Sequence, residues 1–299
     1  MTEYPQCRSI RADAGELLTS PATTPAFLQE ELKTAASDFE KTTINLLEQL
    51  RRSSWAAWSV IAAICAVGHQ KGKKMTVKPF KKLDANFTFE QNAFAEPVNW
   101  NDATPAGKPV LACGHDPARS VRAASVLTDP SGQPFPGKGV GSDTEIRFNA
   151  LMWQPPAGGG AVAPGAEADE ILLHEMTHGL RQMRGQMHCS GVSDNAAYDT
   201  REEFVAILVS NLYRSERGRT GLRSDHGANS PPLSAALSNP VTFLGTGNHK
   251  DYIHQMFDED LVFAQNLAFV KCPFNPVKLF NERYGKLFAG KPGFRTSNR

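Results

Sequence analysis

Residues 167–183, EADEILLHEMTHGLRQM, decide the expected fold, because His174 and His178 stand four positions apart with Glu175 directly after the first histidine. Acidic residues in the first turn and the apolar spacing predict a helix over this stretch. Positions i and i+4 share one helix face, so both imidazoles can reach one metal ion, and Glu175 can take a proton from water there. The alternative is a pair of surface histidines on an amphipathic helix.

A catalytic zinc site needs a third protein ligand and an open position for water. One known pattern places Gly and His three and six residues after the second histidine, but Arg181 and Arg184 occupy those positions. The other common source is a glutamate on a following helix. Thr200–Gly218 predicts such a helix, with Glu202 and Glu203 in its first turn.

The two neighbouring glutamates allow two explanations. Thr200 and Glu203 fit a capping box, and acidic residues are favoured at any helix start. However, the helix is apolar almost all round, which indicates burial beside the core. A carboxylate in a buried layer needs a partner, and a metal ion would be one. We therefore expect one of the pair to be a ligand, with Glu203 favoured over Glu202.

The motif HEMTHG at 174–179, followed by YDTREEFVA at 198–206, resembles bacterial effector-type zinc metallopeptidases, which are toxins delivered by type III and type VI secretion systems. The zinc-site layout is also similar to that of anthrax lethal factor, whose third ligand is the Glu directly before a Phe-Phe-Ala stretch. This resemblance implies Glu203 as the third ligand, since it precedes Phe-Val-Ala, and Tyr198 as a catalytic residue.

The resemblance covers residues 168–230 and departs from lethal factor at Ile207, where that protein keeps a second carboxylate near the metal. Groups outside the ligand shell orient ligating imidazoles. These groups are therefore expected to differ here, with Asn211, Ser210 or Asp199 as the candidates.

Two further residues are candidates for stabilising the oxyanion, namely Tyr198 and His226. His226 ends the stretch LRSDH, and similar endings occur in the effector-like group. The alternatives are a buried tyrosine that only satisfies its own hydroxyl and a histidine in a loop.

The first quarter of the chain predicts a helical region, residues 1–75, ahead of a catalytic domain at 76–299. Within it, residues 1–24 are polar and predict a loose leader, and Phe27–Leu50 has the apolar spacing of an amphipathic helix. Trp55–Gly68 is strongly apolar but shorter than the about 20 residues of a bilayer span, so we expect a buried helix rather than membrane contact.

The expected fold class is α+β, a zincin-like domain with a small sheet and active-site helices. Short apolar runs broken by Pro, Gly and Asp predict strands at 108–113, 123–127 and Glu145–Trp153. The last of these is expected at the sheet edge near the cleft, where an extended substrate can pair by strand addition.

Composition excludes several classes of protein. The 32 basic and 31 acidic residues leave a formal charge of +1, which argues against nucleic acid as the main partner. The 40% hydrophobic content excludes wholesale disorder. The five cysteines are scattered without a CxxC pair, which argues against a disulfide framework or a cysteine-ligated zinc and leaves room for one or two bridges after export.

Taken with the resemblance, these features predict a Zn²⁺-dependent endopeptidase, a secreted bacterial effector that hydrolyses a protein of a target cell. Met1–Pro5 lack a basic start and an apolar core, so we expect secretion without a cleaved signal peptide. The expected partners are a protein or peptide substrate, with a cognate immunity protein or a secretion-system component as further candidates. The alternative function is a zinc-stabilised binding or scaffold protein with a degenerate site.

Overall fold

The computed structural model describes most of the chain. The described residues are 1–18, 26–79, 93–99, 103, 139–153, 163–187, 198, 200–225 and 231–293. The strands predicted at 108–113 and 123–127 lie outside this part, as do Asp199 and His226.

Five short strands form one sheet in the order β1-β2-β3-β5-β4. Their bounds are β1 (Thr2–Tyr4), β2 (Cys7–Ala12), β3 (Met75–Lys78), β4 (Phe94–Pro97) and β5 (Thr144–Arg147). The central pairs β2–β3 and β3–β5 are parallel, whereas β1–β2 and β4–β5 are antiparallel.

This sheet corrects two predictions. The loose leader is wrong for residues 2–12, which form β1 and β2. The domain boundary predicted at residue 75 stays a prediction, and Met75 is the first residue of β3, which pairs with β2. The edge strand predicted at Glu145–Trp153 is also wrong, because β5 lies between β3 and β4 and residues 150–153 form a 3-10 turn. Among the described strands, β4 is the edge nearest to β5.

The described residues contain nine α-helices. They are α1 (Gly15–Leu18), α2 (Ala26–Ser53), α3 (Trp55–Lys71), α4 (Ala168–Arg184), α5 (Arg201–Glu216), α6 (Pro240–Leu244), α7 (His249–Glu259), α8 (Leu261–Ala268) and α9 (Pro276–Tyr284). A small sheet with this many helices agrees with the α+β prediction; the zincin-like assignment stays a prediction.

The apolar run Trp55–Gly68 forms most of α3 and is largely buried, which confirms the prediction of a core helix. Ser54 begins the helix, since its hydroxyl accepts the Ala57 backbone N–H at 3.1 Å. Among the residues that the structure describes, no helix has the length and apolarity to cross a membrane. A disulfide joins Cys7 on β2 to Cys65 on α3, so the described residues contain one of the one or two bridges for which the cysteine pattern left room.

The two helices predicted to carry the site are both present, as α4 and α5. α4 is buried along most of its length and packs on the sheet without an intervening side chain at Gly179. A Cβ atom there would lie 2.6 Å from Met75 Cε and 3.1 Å from Thr144 Cγ2. This close approach sets the distance of α4 from strands β3 and β5 at the residue directly after His178.

Candidate metal centre

His174, His178 and Glu203 point their ligand atoms at one buried spot between α4 and α5. The two Nε2 atoms lie 3.1 Å apart, and the Glu203 carboxylate oxygens lie 3.2 Å from His174 Nε2 and 3.4 Å from His178 Nε2. The imidazole rings meet edge to face, 82° apart in plane. The structure thus brings together the three residues predicted as ligands.

These separations fit a metal ion. Bond lengths of about 2.0–2.2 Å and tetrahedral angles put neighbouring ligand atoms of zinc about 3.3 Å apart. The two Nε2 atoms are 3.1 Å apart, and each has a different oxygen of Glu203 at 3.2 or 3.4 Å, so each of these contacts lies close to that value. Two imidazole nitrogens and one carboxylate also leave a fourth tetrahedral position for water or substrate. A metal ion therefore fits this group of residues.

The neighbouring glutamates have different surroundings. Thr200 Oγ1 accepts the backbone N–H of Glu203 at 3.3 Å, as a helix cap does, but the Glu203 carboxylate turns to the histidines. Glu202 instead accepts two hydrogen bonds from Arg181 Nε, at 2.8 and 3.0 Å. Successive helical residues point about 100° apart, so one first turn can serve both partners.

Arg181 is the centre of a buried ionic cluster beside the ligands. Its Nη2 donates to Glu259 Oε2 at 2.9 Å and to the Gln186 carbonyl at 2.7 Å. Burial lowers the pKa of Arg181, but Glu202 and Glu259 outweigh burial and raise it. Arg181, which occupies the glycine position of the Gly-and-His ligand pattern, thus links α4 to Glu202 on α5 and to Glu259 on α7.

The charges around the site favour the protonated, cationic form of His178 and the neutral form of His174. Burial, followed by the nearby Arg223 cation, lowers the pKa of His174 to about 3. Burial also lowers the pKa of His178, but the Glu203 carboxylate outweighs it and raises that pKa to about 9. Burial raises the pKa of Glu203, yet the two histidines hold it well below its usual range. A metal ion would have to displace the His178 proton, because a ligating imidazole is neutral.

Arg223 is the site residue that the sequence did not reveal. Its Nη1 lies 3.1 Å from His174 Nδ1, the ring nitrogen that faces away from the candidate metal position. Asn211, one of the residues predicted to orient the ligands, contacts Arg223. Its side chain accepts the backbone N–H of Arg223 at 2.6 Å and donates to the Arg223 carbonyl at 2.8 Å. Ser210 donates to Ala206 of its own helix. In the sequence, the one signal for Arg223 is the stretch LRSDH, whose predicted functional residue is His226.

Glu175, which follows His174 on α4, and Tyr198 are both buried. The negative charge of Glu175 is among the influences that raise the pKa of His178. The Tyr198 ring packs edge to face on Phe204, at 5.2 Å between centroids, and on His249, at 5.5 Å. Burial and then the charge of Asp225 raise the pKa of Tyr198, so the phenol stays protonated.

A second ionic cluster ties the start of α4 to the end of α5. Asp169 accepts hydrogen bonds from Tyr213 Oη at 2.5 Å and Arg219 Nη2 at 2.6 Å, and the adjacent Glu170 pairs with Arg214. Burial raises the pKa of Asp169, but the hydrogen bonds from Arg219 and Tyr213 outweigh burial and lower it. The two helices that carry the candidate ligands are thus joined near both ends of their contact.

Comparison with known proteins gives one match. The model of the family Peptidase_M91, described as effector protein, matches residues 27–239. This span is more than two thirds of the chain and includes α4 and α5 with the three candidate ligands. Neither the curated proteins nor the solved structures contain a match.

Proposed function

The chain belongs to the Peptidase_M91 family of effector proteins, and from this membership we propose that it is a zinc-dependent endopeptidase acting on a protein of a target cell. The observation that carries the proposal is the His174–His178–Glu203 cluster, whose separations suit tetrahedral zinc. The family supports a peptidase, and the donor set supports the metal.

Each residue of the site has a proposed task. His174, His178 and Glu203 would hold the ion, which when bound supplies a Lewis acid and makes water more acidic. Glu175 takes a proton from the attacking water and passes it to the leaving amine. Burial suits this carboxylate to proton transfer, because a low dielectric strengthens its interactions with the reacting groups.

Two groups are proposed to stabilise the oxyanion, Tyr198 and His226. The raised pKa of Tyr198 keeps its hydroxyl protonated, so it can donate a hydrogen bond at neutral pH. The aromatic contacts with Phe204 and His249 hold its ring on the helix start that carries Glu203. His226 lies outside the described residues and rests on the sequence pattern alone.

We place the substrate along β4 rather than along residues 145–153. β4 runs antiparallel to β5 at the edge of the described sheet, and the active-site helix reaches it through Gln182, which donates to the Ala95 carbonyl at 3.0 Å. An extended segment that pairs with an edge strand is held by main-chain hydrogen bonds. This arrangement favours unstructured target segments.

The effector family also supports the proposals about location and partners. We propose delivery by a type III or type VI secretion system and, where the target is a competing bacterium, a cognate immunity protein. Expression of the chain in the cytoplasm or periplasm of bacterial cells and in eukaryotic cells should harm one of these hosts. Growth of all of them at the control rate would contradict the toxin role.

The deciding experiment combines metal analysis with cleavage of an unstructured protein such as casein. Wild type and Glu175→Gln should each hold one zinc ion, His174→Ala none, and only wild type should cleave. Glu282→Gln on α9, whose side chain is exposed, is the matched control and should behave as wild type. Undiminished cleavage by Glu175→Gln would rule out the peptidase mechanism. Zinc binding by a wild type that neither cleaves nor harms cells would favour the alternative, a zinc-stabilised scaffold protein.

A further inference from the structure

A disulfide bridge ties β2 to the long apolar helix α3. Cys7 and Cys65 stand 58 positions apart in the chain, and the fold brings their Cα atoms to 5.5 Å and bonds their sulfur atoms. Disulfides form and persist in oxidising compartments, whereas the glutathione and thioredoxin systems keep cytosolic thiols reduced. The bridge therefore bears on the compartment in which the folded protein works.

The third cysteine of the described residues, Cys272, does not belong to this pair. Its thiol donates a hydrogen bond to the Phe274 carbonyl at 3.0 Å, and burial raises its pKa to about 11. Thiol–disulfide exchange proceeds through the thiolate, so Cys272 is poorly suited to form or exchange a bridge. Among the described cysteines, oxidation is thus directed to Cys7 and Cys65.

Close packing beside the bridge shows that β2 and α3 fit each other. Gly68, three residues after Cys65, lies so near Ser9 that a Cβ atom on the glycine would overlap the serine side chain. Cys7 is buried and Cys65 is half-buried. Exposed bridges are the ones that exchange readily, so this bridge should persist once it has formed.

The two bridged elements both support the helices of the candidate metal centre. β2 pairs with β3, and Met75 of β3 packs against α4 at Gly179. α3 begins against α5, because the Glu216 carboxylate accepts the Trp55 backbone N–H at 2.9 Å. The bridge therefore joins the strand that leads to the histidine helix with a helix that is fastened to the glutamate helix.

The bridge also changes the balance between the folded and the unfolded chain. A bridge that closes a loop of 58 residues restricts the unfolded chain and raises the ratio of folded to unfolded protein about a thousandfold. The reduced protein lacks this contribution. The same chain should therefore be markedly less stable in a reducing cytoplasm than in an oxidising compartment.

We infer that the chain acts outside the cytosol of its target cell, in a compartment where thiols are oxidised, and that its substrate is a protein exposed there. The inference rests on the proposed function. On oxidation the two thiols lose two protons and two electrons and form one S–S bond, while a protein disulfide of that compartment accepts the electrons and becomes a dithiol. The cytoplasm of the producing cell keeps thiols reduced, so that cell holds the less stable form.

Expression in single compartments tests this inference. Full-length wild type is directed to the cytoplasm or periplasm of bacteria and to the cytosol or secretory lumen of eukaryotic cells, with Glu175→Gln as the inactive control in each. We expect wild type to slow growth only from the periplasm or from the secretory lumen, and the arm that responds identifies the kind of target. Slowed growth from the cytoplasmic or cytosolic copy would overturn the inference.

Cysteine variants connect the compartment to the bridge. The double variant Cys7→Ala, Cys65→Ala should slow growth less than wild type does in the compartment that responds. Cys272→Ala, which removes a half-buried thiol outside the bridge, is the matched control and should act as wild type does. A double variant that slows growth as strongly as wild type would overturn the inference.

A direct measurement of the thiols needs no variant. Wild type recovered from each compartment is alkylated before and after reduction, and the peptides that contain Cys7 and Cys65 are identified by mass spectrometry. We expect bridged peptides from the periplasm and free thiols from the cytoplasm. Free thiols in folded periplasmic protein would overturn the inference. The proposed function fails by a different result, namely oxidised wild type that does not cleave casein.

Discussion

The two neighbouring glutamates at the start of α5 should give opposite phenotypes when each is replaced. Glu203→Gln removes the carboxylate ligand and should abolish tight zinc binding. It should also lower the stability of the metal-free protein, because the Glu203 carboxylate holds the proton on buried His178, but by less than Glu202→Ala does, since His178 can lose that proton and Arg181 cannot. Glu202→Ala should retain zinc binding and lower stability.

The size of the Glu202 effect follows from the Arg181 cluster. Removing one partner of a buried ion pair costs about 3–5 kcal/mol, because it leaves the other charge without compensation. Arg181 would keep Glu259 and the Gln186 carbonyl, so we expect the lower end, about 3 kcal/mol. Glu202→Gln should cost less, about 1 kcal/mol, because Arg181 and Glu259 then form a neutral pair beside a remaining amide oxygen.

The assay pairs urea unfolding in the presence of chelator with zinc titration of the native protein. Glu282→Gln serves as the exposed control and should change neither quantity. The assignment of Glu203 fails if Glu202→Gln loses zinc while Glu203→Gln keeps it. The account of the Arg181 cluster fails if Glu202→Ala unfolds at the wild-type urea concentration.

Three further perturbations have defined outcomes. Asp169 has a lowered pKa in the folded protein, so its contribution to stability is present above its unfolded pKa of about 4 and is lost as the pH falls through the folded value. Asp169→Asn should therefore flatten the fall in unfolding free energy below about pH 4, measured by urea unfolding. Gly141→Ala should cost about 3 kcal/mol, since φ is +90° and the new Cβ would meet a backbone carbonyl of α4, whereas Gly72→Ala, at φ +69° in open space, should cost about 1 kcal/mol. The Cys7–Cys65 bridge closes a loop of 58 residues, so replacing both cysteines by alanine should lower the unfolding free energy by about 4 kcal/mol under oxidising conditions. Under reducing conditions the bridge is absent from wild type as well, and the two proteins should be equally stable.

Each of these has a contradicting result. An unchanged pH profile in Asp169→Asn would show that its buried ion pairs do not drive the acid sensitivity. Equal losses for the two glycine variants would show that contact with α4 adds nothing to the cost of the backbone conformation. A double cysteine variant as stable as the oxidised wild type would show that the bridge does not form in solution.

The local part of the site could be predicted from the sequence, and the long-range part could not. The i, i+4 spacing of His174 and His178 and the cap at Thr200 depend on neighbours within one or two helical turns, and α4 and α5 form as predicted. The strands at 2–12 are not apparent from the local sequence because β2 pairs with β3, which follows three helices later in the chain. Pairing of this kind leaves little trace in the local periodicity of a short polar segment.

Local sequence specifies the residue types of the candidate site: two imidazoles on one face of a helix, a glutamate directly after the first of them, and two glutamates at the start of the next helix. Which glutamate faces the histidines depends on contacts between helices, because both Glu202 and Glu203 suit a helix start and Arg181 on α4 pairs with Glu202. Only the tertiary structure brings Arg223 to the outer nitrogen of His174. Both outcomes depend on contacts between α4 and residues of α5 or the segment after it. Because these contacts are buried, each charged group is stable there only when it is paired.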